Sequence, residues 1–191
     1  MRLPVLVLAL VSAWTSADAQ PKAYVVVRDQ SQVMFEATYP LGEFSGTADR
    51  VTGEFRLDPA NVPQGVTGSV AINPATLRTG IEGRDRDLRK SLETDRYPEI
   101  LFTVGEVYSS FPSLAERADI ALKISGMMLI RGVERAMTWT GRARIEEGRL
   151  WVSGEAELNM TEFGITPPRK FFLAVGDRVR VRFDLRLAPE E

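Results

Sequence analysis

The alternation of apolar and polar residues constrains this chain more than any other feature. In "DRVRVRFDLRL", Val179, Val181, Phe183, Leu185 and Leu187 occupy every second position and arginines fill most of the gaps. A period of two places all five apolar side chains on one face of an extended strand. The same alternation predicts strands over 24–28, 32–39, 66–73, 100–108, 120–130, 134–145, 150–160 and 178–187. A further long strand over 44–58 is expected to break or bend at Gly46 and Gly53, and "EEG" at Glu146 to Gly148 reads as a tight hairpin turn. One helix is expected in "GRDRDLRKSLET", where Leu88 and Leu92 stand four apart and Asp85 faces Arg89 at the same spacing.

Eight or nine antiparallel strands with a single helix must protect their sheet edges. Closing into a barrel removes those edges, so the expected fold is an all-β antiparallel barrel, with a two-sheet sandwich as the alternative. On a barrel wall the arginines at 178, 180, 182 and 186 face water. A nucleic-acid surface would instead require net positive charge and interleaved aromatics. The chain has 24 Lys and Arg against 26 Asp and Glu, a formal charge of −2.

Residues 1–19 have the features of a secretory signal peptide. Arg2 precedes an apolar run from Leu3 to Val11, and Ala17, Asp18 and Ala19 form an A-x-A site. The alternative, a retained anchor, conflicts with an apolar run well short of the roughly 20 residues that span a bilayer. Residues 20–191 are expected to form one domain in the periplasm or outside the cell. They hold no cysteine, so packing alone must stabilise that domain.

Histidine is also absent. Its absence, with that of cysteine, excludes a Ser-His-Asp triad, a thiol nucleophile and the commonest metal ligand. No P-loop or G-x-G-x-x-G is present. The "DRD" at Asp85 to Asp87 begins like a calcium loop, but Arg89 and Lys90 occupy the positions that would need Asp or Asn and then Gly. Glu155 and Glu157 fall on one strand face beside Trp151, and solvent is the ordinary place for such a pair. No catalytic residue and no metal ligand is expected.

The remaining signal is apolar. Inward faces collect Val33, Phe35, Phe55, Val70, Ile72, Phe102, Val104, Leu122, Ile124, Met128, Ile130, Leu158, Val181 and Phe183, with Trp139 and Phe163 added. These side chains either fill the barrel or line a cavity, and periodicity does not separate the two.

Four stretches, in order, resemble the YceI-like family of exported polyisoprenoid-binding proteins. They are "SQVMFEATYPLGEFSGTADRVTGEFRLDP", "TLRTGIEGRDRDLRKSLETDRYPEILFT", "ISGMMLIRGVERAMTW", and "TEFGI" with "VGDRVRVRFDL". The resemblance runs from about Tyr24 to Leu187. It implies an eight-stranded lipocalin-like barrel with a helix at its side and an apolar tunnel for a long isoprenoid, a quinone or a polyprenyl phosphate. It implies no enzymatic activity. Under that reading the tunnel lining is Phe35, Phe55, Ile72, Phe102, Val104, Leu122, Ile124, Met128, Trp139, Phe163 and Phe183. Pairing of two barrels is an expectation from the resemblance alone. The alternative is an exported module with a solid core that contacts a partner such as a membrane redox protein.

The chain departs from the family at polar positions. Tyr39 and Asp87 stand where histidines are usual, Thr161 replaces an arginine, and Ser91 and Leu92 replace an aromatic pair. Arg84 and Asp85 match the family's R-D pair, which would either tie the helix to the barrel or touch a ligand.

Overall fold

The computed structural model describes residues 21–190 except 49, 115–117 and 171–172; the expected signal peptide lies outside them. The strands are β1 (Lys22–Val26), β2 (Gln32–Tyr39), β3 (Gly42–Ala48), β4 (Val51–Leu57), β5 (Thr67–Ile72) and β6 (Leu77–Arg78). Helix α1 (Glu82–Leu92) follows. The chain continues as β7 (Ile100–Ser109), β8 (Ile120–Ile130), β9 (Val133–Glu146), β10 (Arg149–Asn159), β11 (Arg169–Lys170), β12 (Leu173–Ala174) and β13 (Arg178–Pro189).

The last strand closes the barrel. One edge of β13 pairs with β10 from Arg178 to Leu187. Its other edge pairs first with β2 (Val179 opposite Ala37) and then with β1 (Leu187 opposite Val26). β1 and β2 therefore share one position in the wall, interrupted by a 3₁₀ turn at Arg28–Gln30. β3 and β4 share the next, since β3 pairs with β2 and β4 with β1. With β5, β7, β8, β9, β10 and β13 the antiparallel circuit has eight positions. All its edges are hydrogen-bonded over at least part of their length, which is how a β-protein without disulfides avoids open edges.

Two hairpins turn as the sequence demands. Arg131 and Gly132 (φ 52° and 73°) connect β8 to β9, and Glu147 and Gly148 (φ 53° and 73°) connect β9 to β10. Two successive positive φ values suit the twist of a tight hairpin, and glycine takes the second without steric cost. The run over 44–58, by contrast, does not bend at its glycines. It breaks between Ala48 and Val51, while Gly46 and Gly53 lie inside β3 and β4. There a Cβ would collide with a neighbour, at 2.4 Å from the Phe35 ring for Gly46 and 2.5 Å from the Ser69 carbonyl oxygen for Gly53. These glycines permit close approach of neighbouring strands.

The arginines of β13 form a charge ladder on the outer wall. Arg182 reaches Glu36 at 2.7 Å on β2 and Glu155 at 3.4 Å on β10, and Arg180 reaches Glu157 at 3.4 Å. Arg186 lies over the Trp151 ring, 3.3 Å from its centroid. Each exposed pair contributes little, roughly 0–1 kcal/mol. Their consequence is that Arg178, Arg180 and Arg182 are matched by acids on the adjacent strands and Arg186 by Asp184 of its own strand, so these four arginines do not form an uncompensated positive stripe.

Helix α1 presents Leu88 and Leu92 to the same apolar cluster as Ala48, Leu77 and Ile130. It stops at Glu93, which takes a left-handed conformation and donates its N–H to the Lys90 carbonyl. Arg131 of the β8–β9 turn donates to the Glu93 carboxylate and to the Gly164 carbonyl, joining the helix end to the barrel. At the other end, Asp85 Oδ1 accepts from the Thr79 N–H at 2.7 Å and the Thr79 hydroxyl at 2.6 Å. Desolvation pushes the Asp85 pKa up, but the Thr79 hydrogen bonds, with Arg89 and Arg84 nearby, hold it below the usual carboxylate value.

Because the folded pKa is lowered, this anchor stabilises the protein above the unfolded value of about 3.9 and fades as pH falls through the lower folded value. Asp85→Ala is expected to cost about 1 kcal/mol at pH 7, as loss of a helix-terminal cap does. Melting curves of the two proteins should converge toward pH 2. A difference that persists unchanged at low pH would show that the carboxylate does not hold the helix.

Candidate functional site

Residues on the inner wall alternate as expected but are not uniformly buried. Phe102, Leu122, Met128 and Trp139 are enclosed, whereas Val33, Phe35, Ile72, Val104, Ile124, Val181 and Phe183 remain half-buried although they face inward. Their free surface is the wall of an internal cavity of about 270 Å³. An apolar void of about 150 Å³ already stays dry and accepts a hydrocarbon guest, so this one is large enough to hold a chain.

Four phenylalanines lie against the wall because a glycine stands beside each on the next strand. Phe35 is directly opposite Gly46, Phe55 opposite Gly68, and Phe183 opposite Gly154. Phe102 is diagonal to Gly126, which pairs with Val104. A Cβ placed on these glycines would fall 2.4, 2.6, 2.8 and 2.7 Å from the respective rings. The rings thus occupy the space where side chains of the next strand would stand. Laid along the wall in this way, they supply aromatic surface and leave the lumen clear.

Trp139 completes an aromatic group in the middle of the barrel. Its ring meets Phe102 edge-on (centroids 5.8 Å apart, planes at 77°) and Phe183 similarly (5.2 Å, 68°). Such edge contacts contribute about 0.5–1.5 kcal/mol beyond burial and fix the rings' orientation.

The two ends of the cavity are built differently. At one end the loops before β5 and before β8 are stitched together: the Val62 N–H donates to the Pro112 carbonyl (2.7 Å) and the Leu114 N–H to the Pro59 carbonyl (2.8 Å). Val62, Leu114, Leu57 and Val66 form the floor beneath them. Toward the other end the lining comes from Ala37, Phe44, Leu88, Ser91, Pro168 and Val175. Arg84 lies over the Phe44 ring, 4.3 Å from its centroid, so the basic residue of the R-D pair grips β3 while Asp85 holds Thr79. Among the described lining residues none is charged, and only Ser91 carries a hydroxyl.

Ten of the expected lining residues border this cavity: Phe35, Phe55, Ile72, Phe102, Val104, Leu122, Ile124, Met128, Trp139 and Phe183. Phe163 does not. It sits on a 3₁₀ turn (Met160–Phe163), 2% exposed, and packs within the wall's own core. A residue outside a strand obeys no period of two, so its direction was not readable from spacing. The helix residues Leu88, Ser91 and Leu92 and the loop residues Val62, Leu114, Pro168 and Val175 also line the cavity, again without a strand period to mark them.

Tyr39, Asp87 and Thr161 do not border the cavity. Thr161 has a structural partner, since its N–H and hydroxyl donate to the Asp177 carboxylate at 2.8 and 2.6 Å. Tyr39 packs against Phe44. Among the described residues no three acidic side chains gather as a metal site would require, and no helix is long and apolar enough to cross a membrane.

Comparison with solved structures shows the same fold. BcnA of Burkholderia cenocepacia superposes with a TM-score of 0.72 at 16% identity, covering 84% of this chain and 98% of that one. A polyisoprenoid-binding domain from Saccharophagus degradans, implicated in plant cell wall breakdown, gives 0.69 at 17% identity, covering 88% and 99%. The YceI protein of Campylobacter jejuni gives 0.61 at 16% identity, covering 76% and 84%. No curated protein matches in sequence. The closed eight-position barrel with its single helix is the lipocalin-like architecture that the resemblance implied. The model of the YceI-like domain matches residues 24–187, nearly the whole described chain, and the protein belongs to the YceI-like family.

Proposed function

We propose that this protein is an exported carrier or reservoir that holds the tail of a long isoprenoid or similar amphiphilic lipid, such as a quinone or a polyprenyl phosphate. It binds that lipid without reacting with it. The observation that carries this reading is the 270 Å³ cavity, lined by apolar side chains along the barrel. Each methylene buried there contributes about 0.8 kcal/mol, so a long tail offsets the cost of ordering it. Membership of the YceI-like family and the likeness to a polyisoprenoid-binding domain support the same ligand class. The Arg2 to Ala19 leader supports export. We place the lipid's entry at the end near α1, since the loops at the opposite end are hydrogen-bonded to each other. A solid barrel acting only through its surface would not keep such a void.

The test is purification of the protein from an exporting host under native conditions, followed by solvent extraction and mass spectrometry. About one isoprenoid lipid per barrel is expected. A barrel that yields no lipid and fails to take up an added prenylated quinone would overturn the reading.

A further inference from the structure

A polar head drawn into the cavity would find almost nothing to pair with. Among the described lining residues none is charged, and Ser91 of α1 has the one hydroxyl. The indole Nε1–H of Trp139 is unpaired, but less than 1 Å² of it is exposed, so it faces protein and not the lumen. Tyr39, Asp87 and Thr161 lie outside the lining, and Arg84 and Asp85 are engaged with Phe44 and Thr79. A hydroxyl or carbonyl buried in such a lining gives up its hydration for no bond, and a phosphate gives up far more. Around the stitched loops the lining is Val62, Leu114, Leu57 and Val66, so a head inserted first gains nothing there.

We propose that the lipid lies tail-first, with its head in water beyond the α1 end, beside the β2–β3 turn. This placement rests on the carrier reading and goes beyond it in two respects. Selection is made on the tail, so lipids that share a tail and differ in head bind alike. The head also stays open to reaction while the tail is held. The complex, and not free lipid, is then what is presented to an enzyme that acts on the head.

The chain has no cysteine, so a single introduced thiol takes one fluorophore. Leu41, in the β2–β3 turn at the α1 end, is 75% exposed, and Phe111, in the loop before β8 at the other end, is 64% exposed. Bimane is attached to Leu41→Cys in one protein and to Phe111→Cys in another. Each is delipidated and titrated with a benzoquinone carrying an isoprenoid tail, whose ring quenches the dye on contact. Quenching is expected at position 41 and not at 111, and excess geranylgeraniol should reverse it by displacing the quinone. Unlabelled wild type should bind geranylgeraniol and its monophosphate, which share one tail, with affinities that differ by less than about tenfold. A larger gap in favour of the alcohol would mean that the head is taken inside and loses its hydration. That gap, or quenching at 111 or at neither position, overturns the placement while the carrier reading stands. If wild type binds none of these probes, both fall together.

Discussion

Val181→Trp should weaken lipid binding roughly 100-fold and leave the lipid-free barrel at least as stable as wild type. Val181 stands on β13 between Phe35 and Ala156, its cross-strand partners, and its free side faces the cavity. Voids of this kind cost about 24 cal/mol per Å³, because the atoms that line them lack contacts on one side. An indole at this position fills part of the void and restores those contacts. The same indole displaces several methylenes of a bound tail at about 0.8 kcal/mol each, so affinity should fall roughly 100-fold. Thermal melts of delipidated protein and extraction with mass spectrometry measure the two effects separately. In a solid barrel the substitution would overpack the core and cost about 1–3 kcal/mol. A lowered melting temperature with unchanged lipid content would therefore reject the tunnel at this position.

The second large effect is expected at Gly126. A Cβ there would fall 2.1 Å from the Thr103 carbonyl oxygen and 2.7 Å from the tip of the Phe102 ring. The carbonyl belongs to the β7–β8 ladder and cannot move without breaking it, next to an irregularity already present between Val104 and Glu106. Gly126→Ala is expected to cost about 3 kcal/mol, the upper end for overpacking. For a domain of this size that lowers the melting temperature by roughly 6–12 °C. Adding Phe102→Ala should relieve the ring's share of the strain and leave the carbonyl's, giving a coupling of about 0.5–3 kcal/mol between the two sites. Gly154→Ala is the milder counterpart. Its Cβ meets the end of the Phe183 ring at 2.8 Å, and that ring can swing into the lumen. Lipid binding should suffer there more than stability does. Additivity of Gly126→Ala and Phe102→Ala would contradict the ring-over-glycine arrangement.

Much of the wall was legible in advance. Alternation marked β2 over Gln32–Tyr39 and β8 over Ile120–Ile130, and it marked the arginine side of β13 as the outer one. The Glu147 and Gly148 turn followed from residue chemistry, and α1 from two leucines four apart. All of these are properties of a few neighbouring residues, decided by which side chains can face water and which dihedrals a residue tolerates.

What the tertiary structure decided depends on residues far apart in the chain. β1 and β2 share one wall position only because both pair with β13, more than 140 residues later. Gly46 reads as a bend until the ring of Phe35 is seen against it. The two-residue β6 exists because Thr47 and Ala48 present an edge to it. Phe163 does not border the cavity, and its 3₁₀ turn follows no strand period that could have shown this. Above all, hollow and solid barrels share one alternation. The pattern states which side chains point inward, whereas the empty volume between them is set by how strands from opposite ends of the chain are spaced around the barrel.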